Sequence, residues 1–161
     1  MTSLFLLPLF AALGPASFVA PPAVQPTGDS IYALAVKPAD FPDDAVVWLL
    51  DEGIYKIEPD GRTNNTIRQV VQILKPEGAS MYQERRLGWN PERQKLTVNW
   101  MRVVKPNGEV VSEHPEQIQD SDVPAAMGTT MYTANKVRRI SLSGLEPGTI
   151  LDFSITSRNG H

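Results

Sequence analysis

Cysteine is missing from this 161-residue chain. That removes disulfides, thiolate nucleophiles and sulfur-ligated zinc sites, though it does not identify the compartment. Histidine is almost as scarce, with only His114 and His161. A histidine-based metal site or a Ser–His–Asp triad would therefore rest on His114 alone. There is no glycine-rich phosphate loop and no G-x-S-x-G nucleophile elbow. A basic excess is also lacking: 15 Lys and Arg face 18 Asp and Glu, for a net charge of −3 and a pI near 5.4. A generic nucleic-acid binder needs the opposite balance, so nucleic acid is not an expected partner. No apolar run approaches the ~20 residues of a membrane-spanning helix.

What is present suits a β-rich domain. Hydrophobic residues make up 42% and charged residues 20%, enough apolar matter for a buried core in one domain. The 14 prolines forbid helix interiors at many points and fit short strands separated by turns. Residues 1–23 read as an export signal running into the start of a linker. Leu4 to Leu13 is its apolar run, and Gly14-Pro15-Ala16 offers small residues for cleavage after Ala16. No Lys or Arg precedes Lys37, so the usual basic start is missing. Residues 24–37 read as a linker or lead-in strand, and 38–161 as a β-sandwich domain. Export places the mature chain in the periplasm or outside the cell, without a membrane span.

The clearest element is a long hairpin from Asp51 to Pro76. Gly53 to Ile57 is one arm and Arg62 to Leu74 the other, joined by Glu58-Pro59-Asp60-Gly61. Pro59 presets φ for a type I turn and Gly61 supplies the left-handed residue that closes it. Ile67, Val71 and Ile73 share one face of the longer arm, with Val70 and Leu74 on the other. Ahead of it, Ile31 to Val36 reads as a short strand or extended lead-in. Ala45 to Leu50, apolar on both faces, reads as an inner strand, and Asp51-Glu52 as a polar corner.

Beyond the hairpin, Pro76 and Glu77 suit the start of one helical turn over Ala79 to Gln83. Glu84 to Leu87 is a short strand. Gln94 to Val104 alternates with period two, Leu96, Val98 and Trp100 facing one way, until Met101 and Val103 switch the pattern and suggest a bulge. Lys105-Pro106-Asn107-Gly108 marks a second hairpin, with Glu109 to Ser112 returning. His114 to Met131 reads as a surface loop with a helical turn near Glu116 to Gln119. Lys136 to Leu142 and Thr149 to Ser157 are strands around a type II turn at Glu146-Pro147-Gly148. Asn159-Gly160 is a hairpin-turn signal with no strand after it in the sequence, which leaves the last strand with an open edge and suggests a truncated domain.

Chemistry is sparse. His114, flanked by Glu113 and Glu116, reads as an exposed loop histidine, and a small hydrolase built on it is the weakest functional reading. Asp120-Ser121-Asp122 lacks the glycine and distal glutamate of a calcium loop and reads as a solvated acidic loop. Trp48 and Trp100 read as core. Trp89, placed in a loop, is the one ligand-binding candidate, since exposed aromatics stack on sugars. Arg85-Arg86 and Arg138-Arg139 read as solvated strand faces. No catalytic residue, metal site or cofactor is expected.

An ordered series of these segments resembles one known module. It comprises Ala45-Val46-Val47, Asp51-Glu52-Gly53, Pro59-Asp60-Gly61, Arg68 to Leu74, Asn90 to Gln94, Lys105 to Gly108 and Leu145 to Gly148. The module is the bacterial domain of unknown function found directly before transglutaminase-like domains in exported proteins. The resemblance implies an antiparallel, immunoglobulin-like β-sandwich, incomplete here at its C-terminal edge. It also implies a non-catalytic accessory role beside a transglutaminase-like catalytic domain, in cis or in trans. That domain's Cys–His–Asp set has no counterpart in this chain. The alternative function is a glycan- or peptidoglycan-binding module of the cell envelope that uses Trp89.

Overall fold

The computed structural model describes residues 30–112, 118–123 and 134–160. The stretch read as an export signal, and His114, lie outside the described residues. The β-rich expectation holds: two antiparallel sheets face each other. The larger contains β1 (Val46–Ile57), β2 (Thr63–Ile73), β4 (Gln94–Val104), β5 (Val110–Ser112) and β8 (Ile150–Asn159), in the order β1-β2-β8-β4-β5. The smaller contains β3 (Glu84–Trp89), β6 (Ile118–Asp122) and β7 (Lys136–Ser141), in the order β3-β7-β6. One short helix, α1 (Pro76–Tyr82), links β2 to β3. No helix among the described residues is long and apolar enough to cross a membrane.

The core follows from strand alternation. Val71, Ile73, Met101, Val103, Leu151 and Phe153 point inward from the large sheet. Ile140 and Leu142 meet them, with Leu87 and Ile118 of the small sheet packed against the cluster. A second, smaller cluster of Val70, Val104 and Ile150 lies on the outer face of the large sheet, under Ile31 and Tyr32.

The turns are those their residues demand. Gly61, Gly108 and Gly148 all adopt positive φ, at 85°, 84° and 94°. The first two close the hairpins through Gly61 N–H to Glu58 and Gly108 N–H to Lys105, both at a 2.8–2.9 Å carbonyl. Gly148 takes the third position of the expected type II turn, closed by Thr149 N–H to the Glu146 carbonyl at 3.0 Å.

Several readings change. Ile31 to Val36 is not a strand: Ser30–Leu34 forms a 3-10 turn. The buried Gln72 amide then clamps this lead-in, accepting from Val36 N–H at 2.8 Å and donating to the Val36 carbonyl at 2.9 Å. Ala45 to Leu50 is not an inner strand, because β1 lies at the edge of its sheet and runs straight through Asp51-Glu52. Trp48 is accordingly 46% exposed, set edge-on to Tyr82 at 6.4 Å. β3 extends through Trp89 instead of ending at Leu87. Gln119 lies in a strand, not a helical turn, because β6 pairs with β7 and sets Ile118 opposite Ile140 and Asp120 opposite Arg138. Finally, β8 has no open edge: it is the middle strand, paired to β2 on one side and β4 on the other.

Gly78 is fixed by close approach. A Cβ there would collide with the Ala45 carbonyl oxygen and lie 2.7 Å from Val46 Cγ1. Gly78→Ala gains helix propensity of about 1 kcal/mol but must push β1 away from α1, an overpacking cost of about 1–3 kcal/mol. The variant should unfold at lower denaturant than the wild type in a chemical melt. A gain in stability would show that α1 does not press on β1.

Candidate functional site

A dense cluster of polar interactions sits on the outer face of the large sheet. Asp152 occupies the middle of β8 and is fully buried. Strand alternation turns it away from Leu151 and Phe153 and toward the face that carries Arg68 of β2. On β4 a bulge does the rest. The register slips between Val98 and Trp100, so Asn99 is an extra residue. Before the slip Leu96 and Val98 face the core; after it Met101 and Val103 do. Trp100 and Arg102 are thereby delivered to the outer face beside Asp152.

The carboxylate is saturated. Trp100 Nε1 donates to Oδ1 at 3.0 Å and Tyr32 Oη donates to Oδ2 at 2.6 Å. Arg68 donates through Nε at 3.3 Å and a terminal nitrogen at 3.1 Å. Arg102 donates through Nε at 3.2 Å and a terminal nitrogen at 2.7 Å. Both guanidinium groups also stack on the Trp100 ring, 5.7 and 5.4 Å from its centroid. Burial pushes the Asp152 pKa up, but the bonds from Arg68, Tyr32, Trp100 and Arg102 outweigh it and hold the carboxyl below the usual aspartate range. Burial, then the bond to Asp152, push the Tyr32 phenol up to about 12. Trp100, expected in the core, is 37% exposed.

The same face continues beyond Trp100 as an open polar platform. Thr66, Thr156 and Thr97 are cross-strand neighbours, as are Asn64, Arg158 and Lys95 one row further on. Asn99 donates to Ser154 Oγ at 3.0 Å and Thr156 Oγ1 at 2.8 Å. These residues line a shallow depression of about 260 Å³.

The residues singled out in the sequence lie elsewhere. Trp89 ends β3, half-buried, under the Arg138 guanidinium at 5.1 Å. Its indole nitrogen is buried without a hydrogen-bond partner among the described residues. It borders a cleft of about 640 Å³ with Asn90, Arg93, Asn135, Lys136 and Asn159. Asp120 is exposed as expected but lies in β6 and not in a loop; it accepts two bonds of 2.8 Å from Arg138, while Arg138 reaches across the sheets to the Leu96 carbonyl at 3.0 Å. Among the described residues no group of three metal-ligating side chains occurs. The arginine pairs divide. Arg86 and Arg139 are exposed, whereas Arg85 points inward with its cation over Phe153 at 4.7 Å and Tyr82 at 5.6 Å. Burial lowers the Arg85 pKa. The Asp152 site was missed in the sequence because its members come from four distant segments; the pattern switch at Met101 was its one local sign.

Comparison with known proteins adds the following. The model of a domain of unknown function with solved structure, DUF3857, matches residues 59–160. A search of curated proteins finds no match. Among solved structures, a candidate protease from Parabacteroides distasonis ATCC 8503 aligns with a TM-score of 0.66 at 15% identity. The alignment covers 72% of this chain and 23% of that one, so the chain spans about a quarter of that protein's length. Two descriptions of the family 3a carbohydrate-binding module of the Clostridium thermocellum scaffoldin cipA align at 14% identity, with TM-scores of 0.36 and 0.31. They cover 72% and 68% of this chain and 68% and 74% of theirs. Scores that low establish no shared fold.

Asp152→Asn removes the countercharge of two partly buried guanidinium groups and should cost about 3 kcal/mol or more at neutral pH. Because the folded pKa is depressed, the stabilisation exists above the unfolded aspartate value of about 3.9 and is lost as pH falls through the folded value. Thermal melts across pH should show the gap between variant and wild type closing in acid. A small loss that does not vary with pH would mean the carboxylate is not the keystone.

Proposed function

Because the chain belongs to the DUF3857 family of domains of unknown function, we propose that it is a non-catalytic accessory sandwich of an exported transglutaminase-like or protease-like protein. It acts in the periplasm or outside the cell, positioning or regulating a catalytic domain in cis or in trans. One observation carries the reading: the same fold recurs as about a quarter of a longer chain described as a candidate protease. A domain used that way needs an interface, and the edge of the large sheet supports one.

The β1–β2 hairpin carries exposed apolar residues toward its turn: Ile54 (49%), Tyr55 (59%) and Ile57 (70%). Exposed large apolar groups close together favour a protein contact over open solvent. β1 also has no strand neighbour on its outer edge among the described residues, and a free edge of this length invites pairing or coverage. The strongest charges, by contrast, are engaged with one another around Asp152, which suits a scaffold better than a reaction centre.

The test mixes the purified chain with the transglutaminase-like domain encoded beside or beyond it. The chain alone should neither transamidate nor hydrolyse peptides. In the mixture, the catalytic domain's KM or thermal midpoint should shift, and Tyr55→Ser/Ile57→Ser should remove that shift while leaving the chain folded. Turnover by the chain alone, or a catalytic domain indifferent to it, would overturn the proposal.

A further inference from the structure

Among the described residues, the outer face of the large sheet is covered at one end only. The Ser30–Leu34 turn and the Val36 clamp lie over Val70, Val104 and Ile150. The other end, past Trp100, has no cover among the described residues. Its cross-strand rows are Lys56, Asn64, Arg158 and Lys95, then Ile54, Thr66, Thr156 and Thr97. Neither row contains an acid. A chain of net charge −3 has therefore gathered three cations on one open patch, none of them in an ion pair among the described residues. The next row, which carries Trp100, also holds Arg68 and, at the β1 edge, the exposed Glu52, so the acid-free part is the two rows from Asn64 to Thr66, roughly 7 Å along the strands at about 3.3 Å per residue.

Trp100 stands at its inner end in an unusual state. An indole this well held is normally buried. Here the nitrogen is fixed on Asp152 and two guanidinium groups hold the ring, yet over a third of the residue stays in solvent. A rigid aromatic surface of this kind loses little freedom on binding.

We propose that this open half binds a carboxylate-bearing polysaccharide. Lys95 and Arg158 hold carboxylates, and the Thr66, Thr97, Thr156 and Asn99 side chains bond ring hydroxyls. Trp100 takes the apolar face of a sugar ring. The charge selects an anion, and the surrounding chemistry selects a sugar. An acidic peptide would use strand addition or side-chain pockets. β2, β8 and β4 are each paired on both sides, so this face has no backbone edge to offer, and its depression is shallow and polar. The platform adjoins β1 and shares Ile54 with the hairpin of the accessory reading, but Lys95, Arg158 and Trp100 lie on other strands, so its test is read separately from that of Tyr55 and Ile57.

The test titrates the intact chain with polygalacturonate at low salt, following tryptophan fluorescence. Dextran, polyglutamate and a dT oligonucleotide serve as parallel probes. Polygalacturonate should bind about tenfold or more tighter than the others and weaken as salt rises. Lys95→Glu/Arg158→Glu lies on exposed positions and should fold normally; it should lose about tenfold or more in affinity, the equivalent of roughly 1.4 kcal/mol. Trp100→Phe, which keeps a ring but loses the donor to Asp152, should weaken binding less than Trp100→Ala. Equal binding of polyglutamate or the oligonucleotide would mean charge alone is at work. That outcome, no binding of polygalacturonate, or an unchanged affinity in the charge-reversed variant overturns the proposal.

Discussion

One buried carboxylate organises the outer half of this molecule. Removing Asp152 from water costs several kcal/mol, and attraction to cations offsets that only where geometry is good and every lone pair is used. Here the donors come from the lead-in (Tyr32), from β2 (Arg68) and twice from β4 (Trp100 and Arg102). The group thus ties the three central strands and the segment that caps them to one point. It also fixes register. A one-residue slip of β8 would drive Asp152 into the core and put Leu151 and Phe153 in its place, so no neighbouring pairing is a serious competitor.

How much of this was legible depended on range. The hairpins at Pro59-Asp60-Gly61 and Lys105 to Gly108 and the turn at Pro147-Gly148 were readable because φ preferences act within four residues. The period-two pattern of Gln94 to Val104 gave that strand its bounds as observed. Edge and centre were not readable. Apolar residues on both sides of Ala45 to Leu50 argued for an inner strand, but Leu49 and Leu50 serve the small outer cluster while Val46 serves the main core. The apparent open edge at Ser157 to Gly160 failed for the same reason. A strand's neighbours are chosen across the chain, and β8 draws both of its partners from far upstream.

The site shows the same limit more sharply. The switch at Met101 is visible in sequence, and a bulge was a fair reading of it. What the bulge accomplishes was not visible, because turning Trp100 outward has meaning only once Asp152 stands opposite. Trp89, the aromatic that sequence favoured, ends up half-buried under Arg138, while Trp100, assigned to the core, is the one held rigid in solvent. The arginine pairs could not be sorted without pairing either: Arg85 lies over Phe153 and Arg138 bridges the sheets to Leu96.

The two exposed regions therefore have different characters. The tip of β1 carries exposed apolar side chains that suit a protein neighbour; the adjoining platform beside Trp100 is cationic and hydroxyl-lined. Past Trp100, the Asp152 network supplies the rigidity on which the platform's form depends. Its most direct test is a carbon-detected NMR titration of the Asp152 carboxyl, read together with the Trp100 indole N–H. Asp152 should stay ionised below the pH at which the exposed aspartates titrate, and the indole resonance should shift with the same midpoint. An ordinary aspartate titration, or an indole signal that ignores it, would contradict the account.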